Sequence, residues 1–197
     1  MNTTACSRLL SLGCVFTPRR CARRRGGKYF IRGSNTGVQA DQYVANGTRF
    51  TQPLYTQEQA AETQRTRAEG GDQDTFIIPA VTADHEAELE WAADARERGN
   101  LVVCIGPEHA VQMRERVDLY ITNGGHEDGG VVALPDGSRI CPVSGILNNV
   151  LCQMLTAQVC DEMCRRGAIP IWLYGVNWVG GIEYNEVTRL AFEERGY

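Results

Sequence analysis

"DTFIIPAVTADHEAELEWAADARERGNLVVCIG" (Asp74–Gly106) is the stretch whose reading decides the fold. Its opening, "DTFIIPAV" (Asp74 to Val81), is a short apolar run with β-forming residues, as in a strand buried on both faces. The next residues, "TADHEAELEWAADARERG", list the signals of a helix in order. A capping-type residue comes first, then acids, then Leu89 and Ala92 on one side, then basic residues and a closing glycine. "NLVVCIG" (Asn100 to Gly106) reads as a second buried strand. A strand, a helix and a strand joined this tightly predict a right-handed crossover between parallel neighbours.

The same alternation continues on both sides. Downstream, "VDLYITNG" (Val117 to Gly124) is a further strand, and "GGVVALPDGSRICPVSG" is a hairpin turning at "PDG". Ser144 can cap a long helix whose Ile146, Leu147, Val150, Leu151, Met154 and Leu155 make a broad apolar stripe, and Gly167 ends it. "IPIWLYG" (Ile169 to Gly175) is read as a last strand and "NEVTRLAFEERG" as a closing helix. Upstream, "KYFIRG" (Lys28 to Gly33) is a strand, followed by the loop "SNTG" and a short helix in "VQADQYVANG". Residues 51–71 have helix-forming residues with almost no large apolar face. The expected fold class is α/β, a three-layer sandwich around a mainly parallel sheet. At 197 residues there is room for one domain with an extension, and neither an internal repeat nor a second core is seen.

Charge is unevenly placed. The formal net charge is −4, yet no Asp or Glu precedes Asp41, whereas Arg8, Arg19, Arg20, Arg23, Arg24, Arg25, Lys28 and Arg32 all do. The acidic remainder repels phosphate backbones, so no nucleic-acid partner is expected. No apolar run approaches the roughly 20 residues of a membrane span, so no membrane partner is expected either. Residues 1–26 read as a basic leader or disordered tail, and residues 27–197 as the folded domain. The expected location is cytoplasmic, with organelle targeting through the Arg-, Ser- and Thr-rich leader as the alternative.

The eight cysteines are irregularly spaced and include no CxxC pair, which reads as reduced, mostly buried thiols. Cys160 and Cys164 lie one helical turn apart, with Cys152 two turns earlier. His85, His109 and His126 are scattered, so no metal site is expected.

In open parallel sheets ligands bind at the carboxyl ends of the strands, beside helix N-termini. Three loops fall there: "GSNTG" (Gly33 to Gly37), "VTADHE" (Val81 to Glu86) and "NGGHEDGG" (Asn123 to Gly130). The first offers Ser34, Asn35 and Thr36, a composition suited to phosphate or to ordinary helix capping. The second places His85 close to a helix start. The third gathers His126, Glu127 and Asp128, read as an acid/base cluster or, more simply, as a glycine-rich turn. Neither GxGxxG nor a P-loop occurs.

The pieces "DLYITNG", "CPVSGILNNVL", "RRGAIPIWLYG" and "VNWVGGIEYNE", with the strand-helix-strand unit before them, resemble the sugar-isomerase (SIS) domain superfamily. The likeness runs from about Gly71 to Gly196 and is closest to a branch of phosphoheptose-isomerase-like proteins. The resemblance implies a flavodoxin- or Rossmann-like topology, a sugar-phosphate ligand, no cofactor, and a homodimer or higher homo-oligomer. It implies aldose-ketose isomerisation with Glu183 shuttling the proton, and a phosphate and ligand site drawn from Ser34, Asn35, Thr36, Thr82, His85, Asn123 and Asn185.

The chain departs from the family's pattern in three places. The serine-rich "SxSGxT" loop is "AVTADHE" here, keeping Thr82, with Ala83 for the glycine and His85 for the threonine. "NHVPYGD" becomes "NGGHEDG", with Gly124 in place of the histidine. The final motif keeps Gly180, Gly181, Glu183 and Asn185 but has Tyr184 at its histidine position. Two readings therefore stay open: a phosphosugar isomerase, or a non-catalytic sugar-phosphate sensor or structural subunit with a degenerate site.

Overall fold

The computed structural model describes residues 29–31, 51–53, 74–126, 130–175 and 177–195. Five strands form one parallel sheet: β1 (Tyr29–Ile31), β2 (Thr51–Pro53), β3 (Thr75–Pro79), β4 (Leu101–Gly106) and β5 (Leu119–Thr122). Their order across the sheet is β2-β1-β3-β4-β5. Phe76 lies beside Val102 and Ile78 beside Cys104, while Val103 lies beside Leu119, so β4 separates β3 from β5. Helix α1 (Glu86–Glu97) joins β3 to β4, and the single-turn-and-a-half α2 (Val111–Arg116) joins β4 to β5. After β5 come the antiparallel hairpin β6 (Gly130–Ala133) and β7 (Arg139–Pro142), the long helix α3 (Ser144–Arg165) and α4 (Gly181–Arg195).

Successive side chains of a strand point to opposite faces, and both faces of β3 and β4 are apolar. Phe76, Ile78, Val102 and Cys104 meet Leu89, Ala92 and Ala95 of α1 and Met113 of α2. Ile31, Ile77, Val103 and Ile105 meet Cys152, Leu155 and Val159 of α3. The result is the expected three-layer α/β sandwich, and its five-stranded sheet is wholly parallel.

Local signals account for most of these elements. At the hairpin, the Asp136 carboxylate accepts from the backbone and hydroxyl of Ser138, which holds its pKa below the usual carboxylate value, and Gly137 takes a left-handed φ of 86°. Gly106 ends β4 at a point of close approach. A Cβ there would stand 2.7 Å from the Tyr120 hydroxyl and 3.0 Å from the Ala80 Cβ. That hydroxyl is itself held, donating to the Pro107 carbonyl at 2.5 Å, with the Arg114 guanidinium 4.3 Å from the ring centroid. Gly106→Ala is therefore expected to lower unfolding free energy by about 1–3 kcal/mol in urea titrations, as overpacking does.

Three local expectations are corrected. Residues 169–175 form only an isolated bridge at Trp172, because Pro170 lacks an N–H and both backbone groups of Tyr174 bond to the Asn185 side chain. The closing helix starts at Gly181, just after Gly180 at φ 78° and ahead of the expected Asn185, so Glu183 lies on the helix too. Val143, and not Ser144, is at the N-cap of α3; Ser144 is its buried first residue.

The described thiols are free. Cys104 and Cys152 are buried, one in each layer, Cys160 is half-buried, and Cys141 and Cys164 are exposed. Burial pushes the Cys152 thiol from 9.0 up to about 12 and the Cys160 thiol up to about 11, and it pushes Cys104 up as well. A thiol whose folded pKa is raised contributes stability below its unfolded pKa and loses it as pH rises through the folded one. For Cys152 stability should therefore decline between about pH 9 and pH 12. In native alkylation mapped by mass spectrometry, Cys141 and Cys164 should react first and Cys104 and Cys152 only after unfolding.

No helix among the described residues is long and apolar enough to cross a membrane. The basic leader, the "GSNTG" loop and the segment 54–71 lie outside the described residues.

Candidate functional site

The carboxyl edge of the sheet is extended by two backbone bonds. The Ala80 N–H donates to the Ile105 carbonyl at 2.8 Å, and the Asn123 N–H donates to the Gly106 carbonyl at 2.9 Å. These bonds carry Ala80 and Asn123 one step past their strands, to the start of the two loops that the sequence singled out.

A chain of amides crosses between those loops. The Gly125 N–H donates to Asn123 Oδ1 at 2.7 Å, Asn123 Nδ2 donates to Asn148 Oδ1 at 2.8 Å, and Asn148 Nδ2 donates to the Ala80 carbonyl at 2.7 Å. Each amide donates on one side and accepts on the other, so a single orientation of both side chains satisfies all three bonds. Asn148 is one turn into α3, on the buried face that also carries Ser144, Cys152, Leu155 and Val159. Asn123, read from the sequence as a ligand residue, is buried and its amide is turned inward to Asn148.

The loop 81–85 is held from its other side. Asp84 takes a left-handed φ of 50°, and its carboxylate accepts from the N–H groups of Gln112 at 3.1 Å and Met113 at 2.9 Å in the first turn of α2. This satisfies donors that a helix start leaves orphaned. The helix that the loop itself opens, α1, has His85 at its N-cap with no side-chain bond to the helix. Thr82 is half-buried in this loop and His85 is exposed. Both stand where α1 begins, beside its acidic first-turn residues Glu86 and Glu88.

The terminal motif builds a structure of its own. Asn185 Oδ1 accepts from the Tyr174 N–H and Asn185 Nδ2 donates to the Tyr174 carbonyl, both at 2.9 Å. Tyr174 then stacks with Trp178, ring centroids 6.0 Å apart, and meets the edge of Tyr184 at 4.5 Å. Glu183 is exposed on the first turn of α4. The residues expected from the sequence thus fall into groups: Thr82, His85 and Asn123 at the sheet edge, and Glu183 and Asn185 on α4. Ser34, Asn35 and Thr36 lie outside the described residues, as do Glu127 and Asp128; His126 is exposed.

Two residues that the sequence reading passed over prove central, Asn148 and Asp84. Asn148 had a readable signal, being a polar residue at the spacing of the helix's buried face. Asp84 had none, since its partners are 28 and 29 residues away.

Among the described residues, no group of three or more His, Cys, Asp or Glu side chains is placed to hold a metal ion. What the edge offers is polar: backbone N–H groups, the Thr82 hydroxyl and the exposed His85, with Glu86 and Glu88 in the first turn of α1.

No family model matches the chain, and no curated protein matches it. Solved structures do. A proposed phosphosugar isomerase involved in capsule formation, from Bacteroides fragilis, is similar over 85% of this chain and 81% of its own, at 14% identity and a TM-score of 0.54. A protein described only as hypothetical is similar over 83% of this chain and 91% of its own, at 10% identity and a TM-score of 0.51. At such identities the likeness is one of fold: the chain shares the α/β sandwich fold of that proposed phosphosugar isomerase.

Proposed function

We propose that the chain binds a sugar phosphate at the carboxyl edge of its parallel sheet, in the space above the loops 81–85 and 123–126. The observation that carries this reading is the shared fold with a proposed phosphosugar isomerase, together with two loops locked to each other at the edge where this sheet type takes ligands. Thr82 and His85 supply side-chain contacts, and the loop 33–37, with Ser34, Asn35 and Thr36, supplies the phosphate contacts. Membership of the phosphoheptose-isomerase-like branch and a domain spanning residues 27–197 belong to the same proposal, with residues 1–26 a leader or tail to a cytoplasmic protein.

A homodimer goes with it. Trp178 is 69% exposed, and Val179 next to it, Ile182, Val187 and Leu190 on α4, and Ile146, Val150 and Met154 on α3 are exposed too. Exposed large apolar side chains grouped on one helix are the kind of surface that association covers.

Isomerase chemistry is the finer step. A carboxylate base works in a site closed to water, where its pKa rises toward neutrality. Glu183 is exposed within one chain, so turnover requires a second copy to cover it. That exposure favours binding without turnover as the second reading.

The test is a thermal-shift panel of sugar phosphates, the matching free sugars and inorganic phosphate. A ligand at about a hundred times its Kd stabilises the folded state by about 2.7 kcal/mol, a shift of a few degrees. A sugar phosphate should raise the melting temperature where its free sugar does not; if no phosphorylated sugar moves it, the reading falls. Incubation with the stabilising compound then separates the two readings by the appearance or absence of its isomer.

A further inference from the structure

We infer that Asn148 is a positioning residue that sets the separation of the two ligand loops without touching ligand itself, an inference that rests on the phosphosugar-binding reading. Asn148 is 0% exposed, on a buried helix face that it shares with Ser144, Cys152, Leu155, Thr156 and Val159. An amide there is costly unless both its functions are bonded, and replacing such a group by an apolar one of like size can be nearly neutral for stability. What distinguishes the asparagine is what it joins. Ala80 follows β3 and Asn123 follows β5, strands that β4 keeps apart, so no sheet bond links the loops above them. Asn148 spans that gap with bonds of 2.7 Å and 2.8 Å.

The relay ends at the Gly125 N–H on one side and the Ala80 carbonyl on the other. A ligand that draws on the backbone at 124–126 therefore pulls, through two rigid amides, on the root of the loop that carries Thr82 and His85. Asp84, fastened to α2, keeps that loop from following freely at its far end. Asn148 thus fixes the span across which a ligand is held.

The experiment compares wild type with Asn148→Leu, which removes both bonds, and Asn148→Asp, which keeps the acceptor toward Asn123 and loses the donor toward Ala80. Fructose 6-phosphate serves as the probe. Kd is read by calorimetry, and backbone hydrogen exchange is read at 81–85 and 124–126 with and without it. Both variants should raise Kd about tenfold or more, the equivalent of one lost well-placed hydrogen bond. In wild type the probe should slow exchange in both loops, and in the variants in one at most.

Folded variants with Kd within about twofold of wild type, on a scale where tenfold is one hydrogen bond, overturn the inference. If neither Asn148 variant folds, Asn123→Ser breaks the same relay at its other amide and carries the same expectations. If wild type binds no fructose 6-phosphate, that reading of the ligand fails by itself, and exchange in the unliganded variants decides this one. Joint loosening of 81–85 and 124–126 supports it, and unchanged exchange in either loop overturns it.

Discussion

Shortening Leu155 to alanine should remove about 2–5 kcal/mol of unfolding free energy, the range for a fully buried leucine whose surroundings collapse only in part. Leu155 is completely buried between α3 and the sheet, packed with Ile31, Ile77, Val103, Ile105, Cys152 and Val159. Set against the roughly 5–15 kcal/mol that holds a typical domain together, this single change takes a large share. Urea unfolding followed by circular dichroism should show a lower midpoint with an unchanged slope, which marks a loss of native stability and not a new denatured state. Leu155 lies seven residues, close to two turns, beyond Asn148 on the same buried face, so the variant should also loosen the amide relay. A loss below about 1 kcal/mol would contradict the packing described for this layer, since even Ile→Val deletions reach that size.

Glutamate at both Ile146 and Val150 should convert the proposed homodimer into a monomer. These side chains and Met154 recur at every fourth residue of α3 and are 69%, 53% and 51% exposed, on the side away from Asn148 and Leu155. Apolar residues buried at the centre of an interface each cost about 2 kcal/mol or more when lost, so the pair should weaken association roughly a thousandfold. The folded monomer should be almost unaffected, because exposed positions tolerate substitution within about 0.5 kcal/mol. Sedimentation velocity over a concentration series reads both outcomes. A wild-type chain that sediments as a monomer at all concentrations would remove the dimer, and with it the means of closing a site around Glu183.

The reading of Asp74–Gly106 as strand, helix and strand corresponds closely to β3, α1 and β4, and Leu89 and Ala92 are buried as the helix pattern requires. The hairpin at "PDG" and the long helix after it were equally legible. The apolar stripe read on that helix proves to be two surfaces. Leu155 faces the sheet, whereas Ile146, Val150 and Met154 face outward, a division that only the position of the sheet decides. In the terminal motif, Gly180, Gly181 and Asn185 were noticed as matches to a family pattern. Their work is local to α4: Gly180 supplies the left-handed turn before the helix, and Asn185 brackets Tyr174.

The sequence by itself determined the parallel α/β core, because buried strands and amphipathic helices follow from neighbours a few residues apart. The tertiary structure decided the candidate site. Asn148 reaches Asn123 across 25 residues and Ala80 across 68, and Asp84 reaches α2 across 28. Whether such a side chain faces a ligand loop, caps a helix or joins two strands depends on which elements fold beside it. Local pattern holds no record of that choice, since the same asparagine or aspartate fits many local settings equally well.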